Sequence, residues 1–161
     1  IILKEAEKIQ KNANSRLYVE LPYTGNQNYV FVSYAHSDSR IVMPYLSALQ
    51  RAGYRIWYDE GIHKGANWTI MLGERLQNCT SFLLFSSENS INSKHVENEI
   101  NGAMKCENVT PITVRLDDKE FPFGYEMFLS KYQVIYGNNE NAVSEIQSAL
   151  NPLTKVTSPE N

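Results

Sequence analysis

The chain has 161 residues, 42% hydrophobic and 20% charged, which suits one globular domain with a real core and a short appendage. A formal net charge of -3 and a pI near 5.6 argue against a basic nucleic-acid surface. No apolar run reaches the roughly 18 residues of a membrane span, and no charged-then-apolar leader is visible, so a cytoplasmic protein is expected.

Residues 1–13, IILKEAEKIQKNA, read as a helix, with Ile2, Leu3, Ala6 and Ile9 on one stripe. Residues 14–28 are rich in Asn, Ser, Gly, Pro and Gln and read as a linker. The chain opens on Ile1 rather than Met, which leaves room for residues upstream. From Tyr29 a regular alternation begins. NYVFVSY is a nearly continuous apolar run of β-formers, as expected for a strand buried on both faces. Ser37 or Asp38 then caps a helix running to about Ala52, with Ile41, Leu46, Leu49 and Ala52 inward, and Gly53 ends it.

YRIWY is a second strand, and DEGIHKGAN a long loop with two glycines. A helix over about Trp68–Asn78 leads to a third strand, TSFLLFS. The next helix covers about Asn92 to Lys105. VTPITVRL is a fourth strand, in which Pro111 suggests a bend or an edge position. Residues 117–131 are irregular, with room for one short helix. YQVIY is the fifth strand and AVSEIQSAL the last helix. The tail from Pro152 is expected to fray. The domain is therefore placed at 28–152, after a helix and linker at 1–27 and before a flexible tail at 153–161.

Repeated strand–helix units imply a parallel sheet with helices on both faces. Such sheets bind ligands beyond the carboxyl ends of the strands, where the strand order reverses. In a flavodoxin-like order that crevice receives three segments: SYAHSDS (33–39), DEGIHKGANW (59–68) and SSENSINSKHVENEI (86–100). Neither G-x-G-x-x-G nor G-x-x-x-x-G-K-[ST] is present, which disfavours dehydrogenase, kinase and P-loop readings. A receiver-like domain is disfavoured too, because no Asp follows the first strand as a phospho-acceptor; Asp38 reads as a helix cap.

Two cysteines, Cys79 and Cys106, are too few for a disulfide framework or a zinc site and read as reduced structural thiols. Three Asn-x-Thr triplets, at Asn67, Asn78 and Asn108, would matter only in a secreted protein. His95 and Glu99 are i, i+4 neighbours, but no further ligand is legible, so no metal is expected. Ser86, Ser87 and Ser90 read as caps, and no Ser-His-Asp arrangement is visible. On the helix after the third strand, Val96, Ile100, Ala103 and Met104 form the buried stripe, with Glu97 and Glu99 on opposite flanks at similar angles. Spacing does not choose between the two carboxylates, and charged flanks are ordinarily solvated.

The three quoted blocks, in order and correctly spaced over about residues 28–150, resemble a TIR (Toll/interleukin-1 receptor) domain of the bacterial, soluble-protein branch. The most specific piece is W-Y-D-E-G-I-x-x-G-x-x-W, Trp57 to Trp68. The resemblance implies a flavodoxin-like three-layer sandwich with a five-stranded parallel sheet of order 2-1-3-4-5, here with an N-terminal helical appendage. TIR domains divide between NAD-cleaving enzymes and signalling scaffolds. In the enzymes the catalytic glutamate lies four residues after a Trp and just before an aliphatic residue. That position is Glu99, before Ile100, and His95 stands at the Trp position. The resemblance thus implies cleavage of NAD, as substrate and without a further cofactor, on self-assembly in bacterial defence or signalling. Tyr34, Ala35, His36 and Ser37 are expected near the pyrophosphate. Asp59, Lys64 and Trp68, in the loop over 59–68, and His95 complete the expected substrate contacts. The same loop is expected to dock onto other TIR domains head to tail. A non-catalytic interaction module is the alternative reading.

Overall fold

The computed structural model describes residues 18–61, 65 and 67–157. The helix expected over 1–13, residues 14–17 of the linker, Lys64 and the last four residues of the tail lie outside the described residues.

Five parallel strands form one sheet: β1 (Val30–Ser33), β2 (Ile56–Tyr58), β3 (Ser81–Ser86), β4 (Thr110–Arg115) and β5 (Gln133–Tyr136). Their order is β2-β1-β3-β4-β5. The helices are α1 (Ser39–Arg51), α2 (Asn67–Asn78), α3 (Glu88–Ile91), α4 (Lys94–Met104), α5 (Phe123–Leu129) and α6 (Ala142–Ala149). Every residue of β1, β2 and β3 is buried, as a sheet covered on both faces requires.

Alternation along each strand sends side chains to two separate cores. Val30, Val32, Leu83, Phe85, Ile112 and Val114 pack with α1 and α6 on one face. Phe31, Trp57, Phe82 and Leu84 pack with α2, α4 and α5 on the other. On that second face Phe31 lies between two aromatic neighbours, 4.9 Å from Trp57 and 5.7 Å from Phe82 between ring centres. Gly102 lets α4 approach α2: a Cβ there would stand 2.5 Å from Leu76 Cδ1.

Three local readings are corrected, and one short helix is added. The helix expected over Asn92–Lys105 is α4, and a short helix, α3, that was not expected precedes it. Ser87 and Ser90 form a reciprocal capping box that starts α3, and Ser93 caps α4 afresh. Met104 is exposed, because α4 ends there and the buried stripe stops at Ala103. Pro111 sits inside the sheet, paired with Phe82, rather than at an edge. Thr110 N–H donates to Thr80 of the neighbouring chain segment, and pairing with β5 begins only at Ile112. The missing N–H of Pro111 therefore falls where no ladder partner stands. Asp38 occupies the N-cap position of α1 but makes no capping hydrogen bond.

Both flanking segments run against the β2 side. Tyr23 N–H donates to the Ile56 carbonyl at 2.8 Å, and Glu20 exchanges two hydrogen bonds with the Gln50 side chain. At the other end Arg55 N–H donates to the Thr154 carbonyl and Val156 N–H to the Gly53 carbonyl. Gly53 turns the chain there with a φ of 95°, a conformation that glycine adopts without strain. Residues 152–156, expected as part of a loose tail, are held by these bonds and a Tyr54–Lys155 bridge.

Phe31→Ala is expected to cost about 3–5 kcal/mol, because the cavity would open between two aromatic walls. Urea denaturation should show a lower midpoint with an unchanged slope.

Candidate functional site

The strand order reverses at β1, so the loops after β1, β2 and β3 converge at the carboxyl end of the sheet. Ser33, the last residue of β1, and Glu99, in the second turn of α4, meet there. Val96, Ile100 and Ala103 press α4 onto the sheet, and this fixes the flank that faces β1. Glu99 is 2% exposed, and Ser33 Oγ donates to its Oε1 at 2.8 Å. Burial pushes the Glu99 carboxyl up to about 8, the Ser33 hydrogen bond works the other way, and the Asp59 charge adds to the rise. Glu97 faces α5, where Tyr125 O–H donates to it at 3.3 Å.

Tyr34 and Ala35 follow Ser33 and are buried, while Ser37 is exposed on the short 3-10 turn His36–Asp38. Tyr34 O–H donates to the Asp59 carbonyl at 3.0 Å, and burial raises its own pKa, so it stays a donor. Asp59 is 4% exposed. Its Oδ1 accepts from Gly61 N–H at 2.8 Å, and its Oδ2 lies 3.6 Å from His36 Nε2. The first bond bends the loop after β2 back on itself, and Gly61 completes the bend with a φ of 86°.

His95, one turn before Glu99 on α4, lays its ring on that of His36, with centres 4.6 Å apart and planes 25° apart. His95 Nε2 lies 3.2 Å from the Tyr34 carbonyl and Nδ1 2.9 Å from Ser93 Oγ. The ligand atoms of His36, Asp59 and His95 all fall within 4.8 Å of one another. Tyr34, His36, Asp59, His95 and Glu99 are thus brought together. Trp68 stands apart, 6.2 Å from Trp57 between ring centres, in a groove of about 420 Å³ that Asp59, Glu60, Met71 and Arg75 also line. Lys64 lies outside the described residues.

Two contributors were not assigned from sequence. Ser33 stood inside a quoted block, and a small polar residue closing an otherwise apolar strand was the signal for it. Asp38 was read as a cap; its carboxylate instead accepts from Ser87 Oγ at 2.5 Å and Asn89 Nδ2 at 2.7 Å, tying the loop after β1 to the loop after β3. This carboxylate lies at the α1 N-terminus, beside the loop where a pyrophosphate was expected.

A family model described as TIR domain matches residues 30–151. No curated protein matches in sequence. Among solved structures, the TIR domain of the Toll-related receptor TRR-2 from Hydra magnipapillata matches with a TM-score of 0.56 and 16% identity, over 70% of this chain and 86% of that one. The TIR domains of the activated Roq1 resistosome, which directly recognises the pathogen effector XopQ, match with a TM-score of 0.50 and 19% identity, over 65% of this chain and 69% of that one. At these identities the two structures support the fold. With the family model spanning well over half of its length, this chain belongs to the TIR domain family.

Proposed function

We propose that this TIR domain cleaves NAD at the nicotinamide–ribose bond when self-assembled, in bacterial defence or signalling, with Glu99 as the catalytic carboxylate. The observation that carries this reading is the buried Glu99 carboxyl on Ser33, at the strand-order reversal and in the register of the family's glutamate. When the C–N bond breaks, its electron pair goes to the nicotinamide nitrogen, which was cationic and leaves neutral. No general acid is needed. The ribose becomes oxocarbenium-like, as in glycoside hydrolysis. A carboxylate held in a dry site stabilises that charge far better than one in water. Water then adds at the ribose carbon, losing a proton, to give ADP-ribose; attack by the adenine ring gives a cyclic product. Tyr34, Ala35, His36, Ser37, Asp59, Lys64, Trp68 and His95 are the residues proposed to bind NAD. The loop over 59–68 is proposed to dock head to tail on other TIR domains, a heterologous contact that builds open filaments.

One observation favours the second reading, a non-catalytic interaction module. Where the NAD-cleaving members carry an aromatic Trp, His95 stands, with its ring on His36 and both its nitrogens near polar partners.

NAD consumption by the purified chain, at high protein concentration with a crowding agent, separates the two readings. Turnover that falls roughly 10²–10³-fold in Glu99→Ala supports the enzyme. No turnover in either protein, with assembly seen by light scattering, assigns the module. The enzyme reading also fixes a pH limb. Activity should rise as Glu99 ionises, through a limb displaced upward from 4.5 toward about 8. Ser33→Ala removes a hydrogen bond that favours the charged form, so the limb should move to still higher pH.

The burial of Glu99 is testable without substrate. Its folded-state pKa is raised, so below 4.5 both folded and unfolded chains hold the proton and there is no penalty. Between 4.5 and about 8 the unfolded chain has lost the proton and the folded one keeps it, so stability falls as pH rises. Glu99→Gln escapes this. Its Tm advantage over the wild type should therefore grow from pH 4.5 to 8, and a constant difference would contradict the burial.

A further inference from the structure

We propose that His36, Asp59 and His95 form a binding site for a divalent transition metal, Zn²⁺ in the first instance, with a fourth position left open. Two imidazoles and one carboxylate are a donor set that zinc takes, with a remaining position for water or another ligand. The three residues come from three different segments: the turn after β1, the loop after β2, and the first turn of α4. Only the fold brings them together.

The donor spacing is near that of a chelate. In a tetrahedral site with bonds of about 2.0–2.1 Å, neighbouring donors stand roughly 3.3 Å apart. His36 Nε2 and Asp59 Oδ2 are already 3.6 Å apart, and all three ligand atoms lie within 4.8 Å of one another. The His36 side chain is 34% exposed, so an ion has a route in from solvent. Asp59 is buried to 4%, and its Oδ1 is held by Gly61 N–H, which leaves Oδ2 toward His36.

Surrounding groups orient the ligands as outer partners do around metal-bound histidines. The Tyr34 carbonyl can only accept, so the proton of His95 sits on Nε2 in this contact and Nδ1 carries the lone pair. Ser93 Oγ stands 2.9 Å from that lone pair, so an ion bound at Nδ1 takes the place of the Ser93 hydroxyl. Tyr34 O–H fixes the Asp59 backbone from the other side. The two imidazoles, stacked 4.6 Å apart, would repel one another if both were protonated; an ion between their nitrogens needs both neutral. A bound ion would clip the three segments together and add to the stability of the folded chain.

The test is a titration of the purified, metal-stripped chain with Zn²⁺ by calorimetry, and with Co²⁺ by visible absorption, alongside Tm measured with and without Zn²⁺. The expected result is about one ion per chain, the intense visible bands of four-coordinate Co²⁺, and a rise in Tm. His36→Gln, His95→Gln and Asp59→Asn should each weaken binding at least about tenfold, the loss that even an outer-partner change produces, and abolish the Tm rise. Asn keeps the acceptor for Gly61 N–H, so Asp59→Asn preserves the loop. Glu97→Gln, on the face of α4 turned to α5, should bind as the wild type does. No stoichiometric binding by the wild type overturns the proposal, and so does binding that survives in the three ligand variants. None of these readouts uses NAD, so the site stands or falls independently of the enzyme reading.

Discussion

Taking a carboxyl group out of water is costly unless it is neutralised, paired or hydrogen-bonded. Glu99 is taken out of water where α4 crosses the end of β1. The apolar stripe of α4 drives that burial, because Val96, Ile100 and Ala103 enter the core on the same helix. The fold therefore holds a carboxyl in a place it would not otherwise occupy, and Ser33 donates the hydrogen bond that meets it. Asp59, also buried and acidic, raises the cost further. Two acids in one dry crevice suit a partner that brings positive charge, whether a cationic nicotinamide or a metal ion.

The loops around that crevice are held by polar ties as well as by apolar packing. Asp38 joins the loop after β1 to the loop after β3 through Ser87 and Asn89. Tyr34 joins the first loop to the second through Asp59. His36 and His95 then meet ring to ring between them. Buried polar networks of this kind rigidify a site when satisfied, and lose most when one member is removed.

The sheet has two edges, and they are treated differently. β2 accepts a backbone hydrogen bond from Tyr23, and residues 154–156 bond to Gly53 and Arg55 just before it. Such cover prevents the edge from templating unwanted strand pairing. β5, at the far edge, leaves Gln133 and Tyr136 exposed and buries Ile135. The crevice lies nearer the covered edge, and the loop over 59–68 that borders it follows β2 directly.

Most of the architecture was legible in the sequence because it rests on local pattern. Short apolar runs alternating with 3.6-period stripes specify a doubly wound parallel sheet, and the resemblance of three blocks to a TIR domain implied its order. The misses were local too: a capping box at Ser87 and Ser90 starts a short helix ahead of α4, and Pro111 was tolerated inside the sheet because β5 starts one residue later. The site was legible only in part. A helical wheel places Glu97 and Glu99 at equivalent angles, and nothing within the helix distinguishes them. The packing of α4 between β1 and α5 does, by sending one to Ser33 and the other to Tyr125. His36, Asp59 and His95 are separated by 23 and 36 positions along the chain. No periodicity relates residues at such distances. Their meeting is decided by the parallel pairing of β1 with β2 and β3, which stacks three loops at one end of the sheet.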